Sequence, residues 1–173
     1  SKMMQTIIKC PKPIIAEVEG TATAAGCQLV ASCDLAYASS SAKFATPGVN
    51  IGLFCSTPMV AISRNLSNKH SMEMLLTGEL ISSDKAAKIG LINDVIEINK
   101  LKDFVLDKAQ KISKKSSVTL KIGKEAFYKQ LDMKLSDAYD YASKVMVQNM
   151  LKLDAKEGID AFIDKREPNW KDK

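Results

Sequence analysis

Seven small residues, 20–26, separate a short apolar run ending near Val18 from an apolar segment carrying one amide, Gln28. A strand entering a helix through such residues leaves backbone N–H groups bare at the helix N-terminus, with no side chain in the way. Those donors, with the helix dipole, suit an anion or a carbonyl oxygen that gains negative charge. Tight strand–helix packing also asks for small residues, so the turn alone does not decide between binding and packing.

The rest of the first half reads as α/β. "PIIAEV" (13–18) is β-branched after a proline and reads as a buried strand. "GCQLVASC" (26–33) is nearly all apolar and reads as a short buried helix. Strands or near-strands follow over 34–39 and 43–49. Residues 56–66 read as a helix with Ser56 or Thr57 as N-cap and Pro58 in its first turn. Residues 71–78 and 82–90 read as helices closed by Gly78 and Gly90, and 91–96 as a strand.

From about Lys100 the pattern becomes long amphipathic helices. One face joins Phe104, Val105, Ala109 and Ile112, another Ala138, Ala142, Val145 and Asn149, and a third Ile159, Phe162 and Ile163. The expected organisation is an α/β part over 1–99 and a helical part over 100–173. The α/β part has few, short strands, so further strands upstream are expected to complete its sheets.

Composition excludes several classes. Four cysteines with no C-x-x-C pair, and a single histidine, His70, give no metal-ligand set and point to free thiols in a reducing compartment. No apolar run is long enough for a membrane span. The net charge of +5 is mild and mixed in sign, and its densest cluster, "KISKK" (111–115), reads as a solvated helix end. Without aromatic interleaving it is no nucleic-acid site.

The stretch "VEGTATAAGCQLVASCDLAYASSSAKFATPGVNIGL" resembles the crotonase, or enoyl-CoA hydratase/isomerase, superfamily at Val18, Gly20, Gly26, Cys27, Cys33, Asp34, Phe44 and Pro47. "LLTGELISSDKAAKIGLINDVI" continues it at Thr77, Gly78, Ile81, Ser82, Ala86, Gly90 and Leu91, and "EGIDAFIDKREPNW" (157–170) resembles the family's C-terminal helix. The resemblance implies an α/β fold, a β-β-α spiral core with a C-terminal helical trimerisation region. The chain looks like the C-terminal two thirds of such a domain, N-terminally truncated. The ligand implied is a coenzyme A thioester, with no tightly bound cofactor, in a homo-trimer or hexamer, and the location implied is mitochondrial.

By the same resemblance, one oxyanion-hole donor is the main-chain N–H of Ala25, which requires a negative φ there. The second comes from an upstream loop. The family's acid/base glutamates fall on Gln28 and Gly48. A carboxamide holds a water but takes no proton near neutral pH, and Gly48 offers no side chain. General acid–base catalysis contributes about 10²–10⁴-fold, so hydration is expected to be slow or absent. Phe162 and Lys165, expected on one helix face, match CoA-binding positions. Asn50, Cys55, Ser56, Thr57 and Glu19 lie near enough in sequence to substitute in an isomerase or thioester hydrolase of fatty-acid metabolism. They serve equally as caps, packing or solvated groups.

Overall fold

A computed structural model describes residues 1–172. The chain forms two compact units: Ser1–Ile8 with Ile14–Ala109, and residues 9–13 with the chain from Gln110 onward.

The first unit opens with helix α1 (Lys2–Lys9) and winds as strand, strand, helix: β1 (Ile15–Val18), β2 (Thr21–Thr23) and α2 (Ala25–Ser32). The next turn repeats it with β3 (Leu35–Ser39), β4 (Lys43–Ala45), a 3-10 turn Pro47–Ile51 and α3 (Ser56–Ile62). β3 lies parallel to β1 with Leu35 beside Ile15, and β4 parallel to β2 with Ala45 beside Thr23. After α4 (Asn68–Thr77), β5 (Ile81–Ser82) adds antiparallel to β4. After α5 (Ser83–Ile89), β6 (Asp94–Ile96) adds parallel to β3, and α6 (Ile98–Ser113) follows. Two three-stranded sheets, β1-β3-β6 and β2-β4-β5, thus grow together as the chain spirals. This is the β-β-α spiral expected from the sequence.

Short strands hold here because side chains tie their ends. The Asp34 carboxylate accepts the Ile14 N–H at 2.7 Å, and the Asn93 carbonyl accepts the Ala36 N–H at 2.7 Å. The Ser39 hydroxyl donates to the Glu19 carbonyl at 2.6 Å. Phe44, Ile62 and Cys27 are fully buried between the sheets and helices. The Asn65 amide donates to the carbonyls of Ala31 and Ala61, both at 2.8 Å, and so ties α2 to α3.

Three boundaries differ from the sequence reading. The strand expected over 43–49 stops at Ala45, because Pro47 lacks an N–H and opens a 3-10 turn. The N-cap of α3 is Cys55, and Ser56 and Thr57 lie inside the helix. α4 starts earlier than expected, at Asn68, where the Ser67 hydroxyl accepts the His70 N–H.

The second unit packs α7 (Ser117–Gln130), α8 (Leu135–Met150) and α9 (Leu153–Ile163). Two expected faces need correction. On α8 the inward stripe runs through Ala138, Tyr141, Val145 and Asn149, with Ala142 exposed. On α9 the apolar trio Ile159, Phe162 and Ile163 faces outward, and Asp154 and Ala161 are buried instead. The cause is the C-terminal segment, which lies over the acidic side of α9. The Asp154 carboxylate accepts the N–H groups of Lys171 and Asp172. Glu157 makes a two-pronged contact with the Arg166 guanidinium at 2.7 and 3.1 Å and accepts the Asn169 N–H at 2.7 Å. The Trp170 indole donates to the Lys114 carbonyl at 2.7 Å, and its ring lies where a side chain at Gly158 would stand.

These contacts are electrostatic. Burial pushes the Asp154 carboxyl up, but the Ser116 hydroxyl and the two backbone N–H groups outweigh it and hold it below its usual value. The Arg166 and Asn169 hydrogen bonds hold Glu157 lower still, at about 2. A carboxyl whose folded pKa is depressed stabilises the fold above its unfolded pKa, about 4.3 for glutamate, and loses that contribution as pH falls through the folded value. Fluorescence of Trp170, the chain's single tryptophan, should therefore hold steady from neutral pH into the ordinary carboxylate range. It should shift as the pH approaches 2, and at a higher pH in Arg166→Gln. A shift centred near pH 4 in both proteins would contradict the clamp.

Candidate functional site

β2 and β4 end side by side, and the turns that leave them carry the candidate site residues Ala25, Gln28 and Gly48. The Ala24 N–H donates to the Ala45 carbonyl at 3.0 Å, extending the pairing one residue past β2. Ala24 then takes φ 47° and ψ −112°, backbone that favours glycine, and serves as the N-cap of α2 with no side-chain cap. An alanine in such a conformation costs on the order of 1–3 kcal/mol. The sharp turn starts α2 directly at Ala25.

Ala25 has a negative φ, as its expected role requires; the positive value falls on Ala24 instead. Ala25 is exposed, and its N–H makes no backbone hydrogen bond among the described residues. The first acceptor of the helix, the Ala24 carbonyl, takes the Gln28 N–H at 3.0 Å. A first-turn amide has no partner within its own helix, so the Ala25 donor stands open to an acceptor from outside.

Gln28 shares the Ala25 face of α2, three residues on. It is 6% exposed. Helical Cβ atoms tilt toward the N-terminus, which leans this side chain back over the first turn.

Gly48 sits in the 3-10 turn after β4, half-buried. A Cβ there would stand 2.6 Å from the Leu53 carbonyl oxygen and 2.9 Å from the Cys55 sulfur. The Gly48 N–H donates to that sulfur at 3.3 Å, and the Leu53 N–H donates to the Gly48 carbonyl at 2.9 Å. The loop has closed on glycine, so a glutamate cannot stand here unless residues 53–55 move. The sequence suggested only a missing carboxylate at this position, whereas the structure has a thiol in the space of a side chain. Nothing in the local sequence pattern marks that contact.

Other residues weighed from the sequence are less engaged. Asn50, Ser56 and Thr57 are exposed, as is Glu19, whose carbonyl caps the Ser39 hydroxyl. Burial, then the nearby Cys55, pushes the Cys27 thiol up to about 12. No group of three or more acidic, histidine or cysteine side chains that could hold a metal occurs among the described residues. In the second unit, Phe162 is 85% exposed at the end of α9. Lys165 lies beyond the helix in a left-handed conformation, φ 53°, so the pair does not form the i, i+3 helical face expected from spacing. Two open clefts, of about 310 and 400 Å³, lie elsewhere, one beside Asn65 and Asn93 and one between α3 and α4.

Residues 1–173 match the enoyl-CoA hydratase/isomerase family along their whole length. The chain belongs to the enoyl-CoA hydratase/isomerase, or crotonase, family. It is 52% identical over 170 residues to the rat enoyl-CoA hydratase domain-containing protein 3, mitochondrial, covering 98% of this chain and 57% of that protein. It is 33% identical over 162 residues to the mitochondrial enoyl-CoA hydratase of Pongo abelii, covering 93% of this chain and 56% of that one. Among crystal structures, human enoyl-CoA hydratase domain-containing protein 3 superimposes with a TM-score of 0.95 at 50% identity, covering 98% of this chain and 67% of that one. An enoyl-CoA hydratase of Mycobacterium smegmatis gives 0.94 at 47%, covering 96% and 65%. The chain thus spans little more than half the length of the curated crotonase relatives it matches.

Placing a methyl group at Gly48 tests the closed loop. Gly48→Ala should lower stability by about 1–3 kcal/mol, because the Leu53 carbonyl oxygen of the backbone and the Cys55 sulfur stand in its way. Thermal melting checks this, and an unchanged midpoint would contradict the packing described.

Proposed function

We propose that the protein to which this chain belongs binds acyl-CoA thioesters, with the thioester carbonyl on the Ala25 N–H, and hydrates enoyl-CoA slowly or not at all. The observation carrying this reading is the exposed residue Ala25, whose N–H has no backbone acceptor among the described residues at the start of α2. One donor polarises a carbonyl, and charge developing on that oxygen is what such an amide stabilises best. Family membership supports the ligand class.

Low hydration follows from chemistry. Gln28 carries no titratable proton, and Gly48 carries no side chain that could relay one. The Gly48–Cys55 loop exposes Ile51, Leu53 and Phe54, apolar surface that suits an acyl chain. Phe162 and Lys165 remain the proposed CoA contacts, reached from an exposed helix end rather than a single helical face. Leu135, Tyr139, Leu151 and Ile163 are exposed in the second unit, which fits assembly of the family's trimer or trimer pair. A mitochondrial location is proposed from relatives named as mitochondrial. No helix among the described residues is long and apolar enough to cross a membrane.

Calorimetry with butyryl-CoA and a hydration assay with crotonyl-CoA on the full-length protein test the reading together. The expected result is saturable binding with turnover at least about 100-fold below an ordinary hydratase, the lower bound of a lost acid–base pair. Gln28→Ala should weaken binding. Absence of binding, or ordinary turnover that Gln28→Ala abolishes, would refute it.

A further inference from the structure

The cleft between α3 and α4, of about 400 Å³, shares no residue with the Ala25 and Gly48 turns. Its size falls within the range of small-ligand sites, about 300–1,000 Å³. α4 lines it with Asn68, Ser71, Met72 and Leu75, one stripe at i, i+3, i+4 and i+7. α3 faces that stripe with Met59 and Val60, and Arg64 follows just past the end of α3.

The cleft is cationic at one end and apolar beyond it. Arg64 and Asn68 stand where the chain leaves α3 and enters α4, so the guanidinium and the positive end of the α4 dipole share that end. Arg64 donates to the Val60 carbonyl at 3.1 Å, which holds its head on the cleft wall. It forms no ion pair among the described residues, and no acidic side chain lines the cleft. A guanidinium has five N–H donors in a planar fork, so the one spent on Val60 leaves others for a carboxylate. Val60 and Met72 are exposed, and Leu75 is buried beneath them.

Ser71 supplies a second, independent observation. It is 3% exposed, it lines the cleft, and its hydroxyl has no hydrogen-bond partner. Buried hydroxyls are paired as a rule, and an acceptor held in the cleft would be the missing partner. We infer that this cleft binds a small aliphatic carboxylate, its charged group on the Arg64 guanidinium and the Ser71 hydroxyl and its chain along Val60, Met72 and Leu75. A single cation with one hydroxyl matches the single charge of a carboxylate. The inference does not rest on the acyl-CoA reading, because none of its residues belongs to that site.

The test titrates octanoate into the full-length protein labelled with ¹³C at the methionine methyls. Met59 and Met72 should shift together and saturably, while Met133, Met146 and Met150 in the second unit should stay in place. Octanol, with the same chain and no charge, should bind at least about tenfold more weakly. Arg64→Gln should weaken octanoate by about tenfold or more and leave octanol unchanged. Ser71→Ala should weaken octanoate about 2–10-fold without lowering the melting temperature, because it removes a hydroxyl that has no partner in the folded chain. Met59 and Met72 signals that do not move with octanoate would overturn the inference. So would equal shifts by octanol and octanoate that ignore Arg64→Gln, which would mark the cleft as an apolar contact surface for another part of the protein or a second copy.

Discussion

The parallel pairing of β2 with β4 sets everything else in the first unit. It brings two turns together at neighbouring strand ends, and the bond from Ala24 to Ala45 carries the pairing into the start of α2. That bond holds Ala24 in a conformation alanine adopts only at a cost, and the cost is what turns the chain sharply enough to leave the next amide unpaired. The strain persists because its surroundings over-determine it. Phe44 and Cys27 are fully buried on either side, and the Thr46 hydroxyl anchors the second turn on the Met74 carbonyl at 2.9 Å.

The two turns have different chemistry. At the first, the Ala25 N–H has no backbone acceptor among the described residues, and Gln28 follows three residues on. At the second, the loop has closed on glycine, and a sulfur occupies the space of a side chain. The two positions expected from the resemblance to match the family's glutamates therefore differ in kind. Position 28 keeps a polar side chain of nearly the same size, whereas position 48 has been rebuilt around the absence of one. A side chain at position 48 would require residues 53–55 to move.

Much of this was legible in the sequence. The run 20–26 identified the turn, and Gln28 stood out because a lone amide is costly in an apolar helix. The glycine stops at Gly78 and Gly90 both appear as left-handed helix ends, as their positions implied. What stayed hidden depended on long-range contacts. The outward turn of Phe162 and Ile163 follows from the C-terminal segment hydrogen bonding to Asp154 and Glu157, which helical periodicity cannot register. The Cys55–Gly48 contact likewise arises from a loop folding back over seven residues. The conformation that frees the Ala25 amide belongs to Ala24, which no propensity would assign to positive φ.

The central claim is that the Ala25 N–H is the acceptor-binding point of the site. A crystal structure of the full-length protein with butyryl-CoA tests it most directly. The account predicts the thioester oxygen about 3 Å from the Ala25 nitrogen, in line with its N–H, with the Gln28 carboxamide turned toward the acyl group. A bound thioester whose oxygen lies elsewhere, with the Ala25 N–H paired inside the protein, would contradict it.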